Sequence, residues 1–183
     1  MKQQIRKVFA GLALIVIAGA PIAALSPVFP MAPGHTVTAD VFGASEYRTS
    51  VNGPLVFLAA NGEPVHGVAS NTNLSLEIQP ATVGTDGGPF TASFSMCKGN
   101  DTTGSRHNHD RDCLYGSATG TAFSNGHQVN YFATVTISQG SVKYEGATGT
   151  IDLSVYQSGL LDPANPGSPI SAEFILDGEY ALP

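Results

Sequence analysis

Residues 129–156 read VNYFATVTISQGSVKYEGATGTIDLSVY. Val129, Tyr131, Ala133, Val135 and Ile137 recur at every second position, and beyond a glycine-rich break Ile151, Leu153 and Val155 do the same. Successive side chains of an extended chain point to opposite faces, so a period of two buries one face and leaves the other to solvent. A helix would need a period near 3.6. The stretch is therefore two strands.

The same period appears on both sides of it. FTASFSM, residues 90–96, sets Phe90, Ala92, Phe94 and Met96 against Thr91, Ser93 and Ser95. LSLEI (74–78) aligns Leu74, Leu76 and Ile78, and ISAEFIL (170–176) aligns Ile170, Ala172, Phe174 and Leu176. Repeated alternation with one buried face indicates antiparallel sheet. Turn residues fall between the runs: Asn-Gly at 52–53, 61–62 and 125–126, Asp-Gly-Gly at 86–88 and Ser-Gln-Gly at 138–140. Pro163, Pro166 and Pro169 keep residues 158–169 out of any central strand. The expected fold is all-β: a single antiparallel barrel of about eight strands, or a sandwich. The run LVFL at 55–58 is apolar on both faces, which suits either a fully buried strand or a surface that meets a partner.

Residues 115–153, YGSATGTAFSNGHQVNYFATVTISQGSVKYEGATGTIDL, resemble the small barrels of the allene oxide cyclase-like and dirigent-like type, in the flavour of secreted bacterial members. The motif is an aromatic and a Gly-Ala-Thr-Gly turn between two strands: Tyr144, then Gly146, Ala147, Thr148 and Gly149. Gly146 and Gly149 let the chain bend and cross closely, Thr148 can bond to the turn backbone, and Tyr144 covers the bend. The resemblance implies an eight-stranded antiparallel barrel. It implies no activity, because no active-site residue of the plant cyclases falls on a matching position.

Composition narrows the partners. The chain has 183 residues, eight Lys and Arg and fourteen Asp and Glu. Lys2, Arg6 and Lys7 hold three of the bases, so from residue 8 onward five bases face fourteen acids, a charge of −9. Such a domain repels phosphate backbones and carries no basic stripe, which excludes nucleic acid.

The first seven residues are basic and residues 8–25 are apolar, the order of a secretory signal. Residues 1–25 are read as a signal peptide, or as a membrane-anchoring apolar helix if uncut, since eighteen apolar residues sit at the lower edge of a span. Small residues offer cleavage after Ala24 or Ala39. Pro27, Pro30 and Pro33 make residues 26–39 a stiff linker, and residues 40–183 become an extracytoplasmic barrel domain, secreted or periplasmic. Membrane contact is expected only through residues 8–25.

The sole two cysteines bracket CKGNDTTGSRHNHDRDC, residues 97–113. Outside the cytoplasm such a pair usually forms a disulfide, and closing a loop of about fifteen residues stabilises by roughly 3 kcal/mol. The loop also holds His107 and His109, which point the same way if the segment is extended, as one edge of a zinc or copper site requires. His127, His66 or Asp101 would have to complete that site, while Arg106 and Arg111 would repel the cation. The favoured reading is a stapled loop, with a metal at His107 and His109 the alternative and no other cofactor expected.

No nucleophile elbow, metalloprotease helix, phosphate loop or dinucleotide fingerprint occurs. Three functions compete. The first is a non-enzymatic barrel that binds a small apolar ligand or a protein partner, with Ala92, Ala133 and Ala172 leaving interior room. The second is a membrane-anchored accessory subunit of a larger complex. The third is an enzyme, either a barrel cyclase or isomerase or a metal-dependent catalyst.

Overall fold

The structure, a computed structural model, describes residues 34–67, 69–98 and 112–183. Eight strands follow one another around a closed barrel: β1 His35–Ser50, β2 Gly53–Val65, β3 Ala69–Gln79, β4 Gly88–Lys98, β5 Cys113–Ser124, β6 Val129–Gly140, β7 Thr148–Gln157 and β8 Ile170–Ala181. Every neighbouring pair is antiparallel, and β8 closes on β1 from His35↔Tyr180 to Ser45↔Ile170. The barrel is thus realised and the sandwich is not. Closure gives every strand a neighbour on both sides, β1 meeting β2 over Ala44–Ser50 and again through the Thr38 bridge to His66. The apolar segment at residues 1–25 lies outside the described residues.

The alternation read from sequence is the alternation of the wall. Phe90, Phe94, Met96, Leu74, Leu76, Ile78, Tyr131, Val135, Ile151, Val155, Phe174 and Leu176 all point inward and are buried. Full burial of each aliphatic or aromatic side chain is worth about 1.5–3 kcal/mol, so this face drives folding. The polarity is the reverse of a lipid-spanning barrel, which turns its apolar residues outward. In the 55–58 run, Leu55, Val56 and Leu58 are buried and Phe57 is half-buried, so it is mainly a core strand; the Arg48 guanidinium lies 3.4 Å from the Phe57 ring centroid.

Three local readings change. β1 opens at His35, so residues 35–39 of the segment read as linker are strand, and Val37 is fully buried. The Asn-Gly pair at 61–62 is no hairpin turn: β2 runs through it with a register shift between Asn61 and Glu63. Residues 138–140 likewise continue β6. Asn-Gly at 52–53 and 125–126 do turn the chain. Asn125 Oδ1 accepts from the backbone N–H groups of His127 and Gln128, each at 2.9 Å.

The Gly-Ala-Thr-Gly segment sits at a crossing. Gly146 has φ +76°, a conformation that favours glycine. A Cβ on Gly149 would stand 2.2 Å from the Glu179 carbonyl oxygen, so only glycine permits β7 to approach β8 so closely there. Ala147 is buried beside this bend and Thr148 starts β7 on the exposed side.

Both ends of the barrel are capped. At one, the 3-10 turn Ala81–Gly84 and the loop of residues 158–169 bury Val83 and Leu161, tied by Gly167 N–H to the Tyr47 carbonyl at 2.9 Å. The other carries the cysteines.

Candidate functional site

Cys97 is the penultimate residue of β4, Cys113 starts β5, and the two are direct register partners joined by a disulfide, with Cα atoms 4.0 Å apart. The expected staple is present. The Lys98 N–H donates to the Asp112 carbonyl at 2.8 Å, and the Asp112 carboxylate pairs with Lys143 Nζ at 3.6 Å. Ser141 N–H donates to the Cys113 carbonyl at 2.9 Å, so the staple is also tied to the β6–β7 turn.

Beside it, Tyr144 is buried edge-on to Tyr180 with ring centroids 5.7 Å apart, and His35 stacks on Tyr180 at 5.0 Å. Tyr180 OH donates to the Gly67 carbonyl at 3.1 Å. Burial first, then the neighbouring Tyr180 and Asp112, push the Tyr144 phenol up to about 12. Burial keeps both phenols neutral over ordinary pH.

His107 and His109 lie outside the described residues, as do Asp101, Arg106 and Arg111. His66 bridges to Thr38 at the stapled end, whereas His127 is on the β5–β6 turn at the opposite end. Among the described residues no three His, Cys, Asp or Glu side chains converge as a metal site requires.

Among the described residues, the interior holds a polar constellation that sequence reading missed. Ser45 Oγ donates to Gln157 Oε1 at 2.7 Å, Tyr131 OH donates to the same oxygen at 3.1 Å, and Gln157 Nε2 donates to the Gly159 carbonyl. Ser45, Tyr131 and Gln157 are all fully buried. Burial, and secondarily the neighbouring Tyr47, push the Tyr131 phenol far above its ordinary range. The cluster contains no carboxylate, imidazole or thiol, so no member accepts a proton near neutral pH. It is a satisfied network that fixes β1, β6 and β7 at one level. The signal lay in the alternation: Gln157 continues Ile151, Leu153 and Val155, yet is polar.

The outer wall holds what the fold does not need. Phe42 is 70% exposed, Phe123 60%, Ile175 39%, and Phe132 and Tyr156 38% each. Register places them together. One row around the wall runs Phe123, Asn130, Tyr156, Glu173, Phe42; the next runs Thr121, Phe132, Ser154, Ile175, Asp40. The Phe123 and Phe132 rings meet edge-on at 5.9 Å, and Phe132 meets Tyr156 at 6.0 Å. A shallow concavity of about 490 Å³ opens beside them over Thr121, Thr134, Asp152 and Ser154. In the third row Asp152 faces Asp177. Folding alone gives no reason to expose five large apolar side chains on adjacent strands.

A second, larger groove of about 650 Å³ lies where β6, β7 and β8 reach the stapled end, lined by Ile137, Thr148, Gly149, Tyr180 and Ala181 beside Gly34.

No family model, curated protein or solved structure matches this chain.

Proposed function

We propose that residues 34–183 form a non-catalytic binding module that works outside the cytoplasm and docks another protein on the wall of β5, β6, β7, β8 and β1. The observation that carries this reading is the aromatic and aliphatic band of Phe123, Phe132, Tyr156, Ile175 and Phe42, exposed on five adjacent strands. Interface centres are enriched in aromatic side chains, and a contiguous exposed apolar patch marks an interaction surface. The extracytoplasmic setting is supported by the basic-then-apolar order of residues 1–25 and by the disulfide. We also read the chain as a distant member of the allene oxide cyclase-like and dirigent-like barrels, on the strength of residues 115–153.

The test is site-specific photocrosslinking in the native host. A photoreactive side chain at Thr121, beside Phe132, is expected to trap a discrete partner that the same group at Ser75 on β3 does not. Equal trapping from both positions, or none from Thr121, overturns the reading.

A small apolar ligand is the second reading, and the groove at Gly149 and Tyr180 favours it over the interior, where large side chains occupy the inward positions around Ala92 and Ala172. Saturation-transfer NMR against a panel of fatty acids and terpenoids checks it. Binding that survives Thr148→Trp refutes this placement.

A further inference from the structure

Resting on the docking wall just described, the geometry points to the chemistry of its partner: a protein surface apolar at its centre and rimmed by Lys and Arg. The sequence makes the wall one-signed. Strands β5, β6, β7 and β8 contain no Lys or Arg, and the single Arg on β1, Arg48, is paired with Glu46, while His35 stacks on Tyr180 at the stapled end. Around the aromatic band stand Asp40, Asp152, Glu173 and Asp177, on β1, β7 and β8.

None of the four carboxylates has a cation within ion-pair distance among the described residues. Asp152 and Asp177 are direct cross-strand partners, both exposed, with only the Thr134 hydroxyl donating to Asp152, at 3.1 Å. Like charges set directly opposite on a sheet are destabilising. Among the described residues, then, the fold tolerates a repulsion that only the Thr134 hydroxyl moderates, beside a patch whose apolar area also goes uncovered. A partner with cations at the rim relieves both at once, and complementary fields speed its approach. A second copy of this chain does the opposite, because a two-fold contact through the band brings the same carboxylates together.

The test titrates the full chain, by calorimetry, with two synthetic amphipathic helical peptides that share one Leu face. One carries Lys at every polar position and the other Glu. Asp152→Asn with Asp177→Asn removes the charge pair, Phe132→Ser with Tyr156→Ser removes the band centre, and Glu77→Gln with Asp86→Asn is an acidic control elsewhere on the barrel. The expected result is binding of the Lys peptide only, weakened about tenfold or more by each wall pair and less than about twofold by the control pair. Raising the salt narrows the gap between the wild type and the Asn pair.

Equal losses from control and wall pairs, or no loss from the Asn pair, overturn the cationic partner. If the Ser pair alone matters, the wall docks a partner but its charge is misread; if neither wall pair matters, the docking reading falls with it. Concentration-dependent dimerisation abolished by the Ser pair would assign the wall to a second copy and also overturn the proposal.

Discussion

Ser45 and Gln157, 112 residues apart in the chain, meet inside the barrel with Oγ 2.7 Å from Oε1. Because Tyr131 donates to the same oxygen, one amide joins three strands. Gln157→Leu leaves two buried hydroxyls without an acceptor. Each stranded donor costs about 1–3 kcal/mol, so the variant is expected to lose about 2–6 kcal/mol in urea unfolding. Adding Ser45→Ala and Tyr131→Phe removes the stranded groups and is expected to recover most of that loss. A triple variant as unstable as the single one would refute the network account.

The disulfide bears on stability rather than on the shape of the wall. Cys97→Ala with Cys113→Ala reopens a loop whose ends are 16 residues apart and is expected to cost about 2–4 kcal/mol. The lost stabilisation should appear as a lower denaturation midpoint with an unchanged far-UV spectrum, since register hydrogen bonds on both strands persist.

Alkaline pH should loosen the stapled end. The Tyr144 phenol titrates at about 12 in the folded chain against 10.0 when unfolded. Below pH 10 both states hold the proton, and stability does not depend on it. Between about pH 10 and 12 the unfolded state has released a proton that the folded state keeps, so stability falls as pH rises. Tyr144→Phe should flatten part of that fall, read as unfolding free energy from pH 8 to 12.

Two truncations separate linker from strand. A chain starting at Gly34 keeps all of β1 and should fold. One starting at Asp40 loses the pairing of His35 to Ala39 with β8, the Thr38 bridge to His66 and the buried Val37. Burial of Val37 alone is worth about 1.5–3 kcal/mol, and each hydrogen bond adds about 0.5–1.5. The shorter chain is expected to be at least about 3 kcal/mol less stable by thermal unfolding. Processing after Ala39 would then yield a damaged barrel, whereas processing after Ala24 leaves it whole.

Val142 is the one described non-glycine residue at positive φ, +54°, and its side chain is exposed. A β-branched residue is strained there. Val142→Gly should raise the melting point by the equivalent of about 1 kcal/mol, and a decrease would show that the strain is absent.

Much of this was legible in the chain, and the exceptions have physical causes. β3, β4, β6, β7 and β8 announce themselves because their inward positions are large and apolar. β5 does not, since after Leu114 its inward positions are Gly116, Ala118, Gly120 and Ala122. A Cβ on Gly120 would stand 2.2 Å from the Phe132 carbonyl oxygen, so close strand approach replaced hydrophobic size. β1 was masked in the same way by Gly43 and Ser45. The cysteine pair was legible because two lone cysteines at the ends of neighbouring strand runs, with an expected oxidising compartment, point to one bond. The polar network was not, because Ser45 and Gln157 become neighbours only when β8 is inserted between β7 and β1. The docking wall left a half-signal: Phe132 sits on the polar set of VNYFATVTI. That Phe123, Tyr156 and Phe42 sit beside it is a matter of register, which one strand at a time does not reveal.

β1 pairs with β8, so the first strand made must wait for the last. Until residue 181 is available, the growing sheet ends in two open strands whose backbone groups invite pairing with other chains. Closure therefore follows the making of β8, whatever the order in which the strands between have paired. The order of the strands thus leaves the barrel an open sheet until its eighth strand exists.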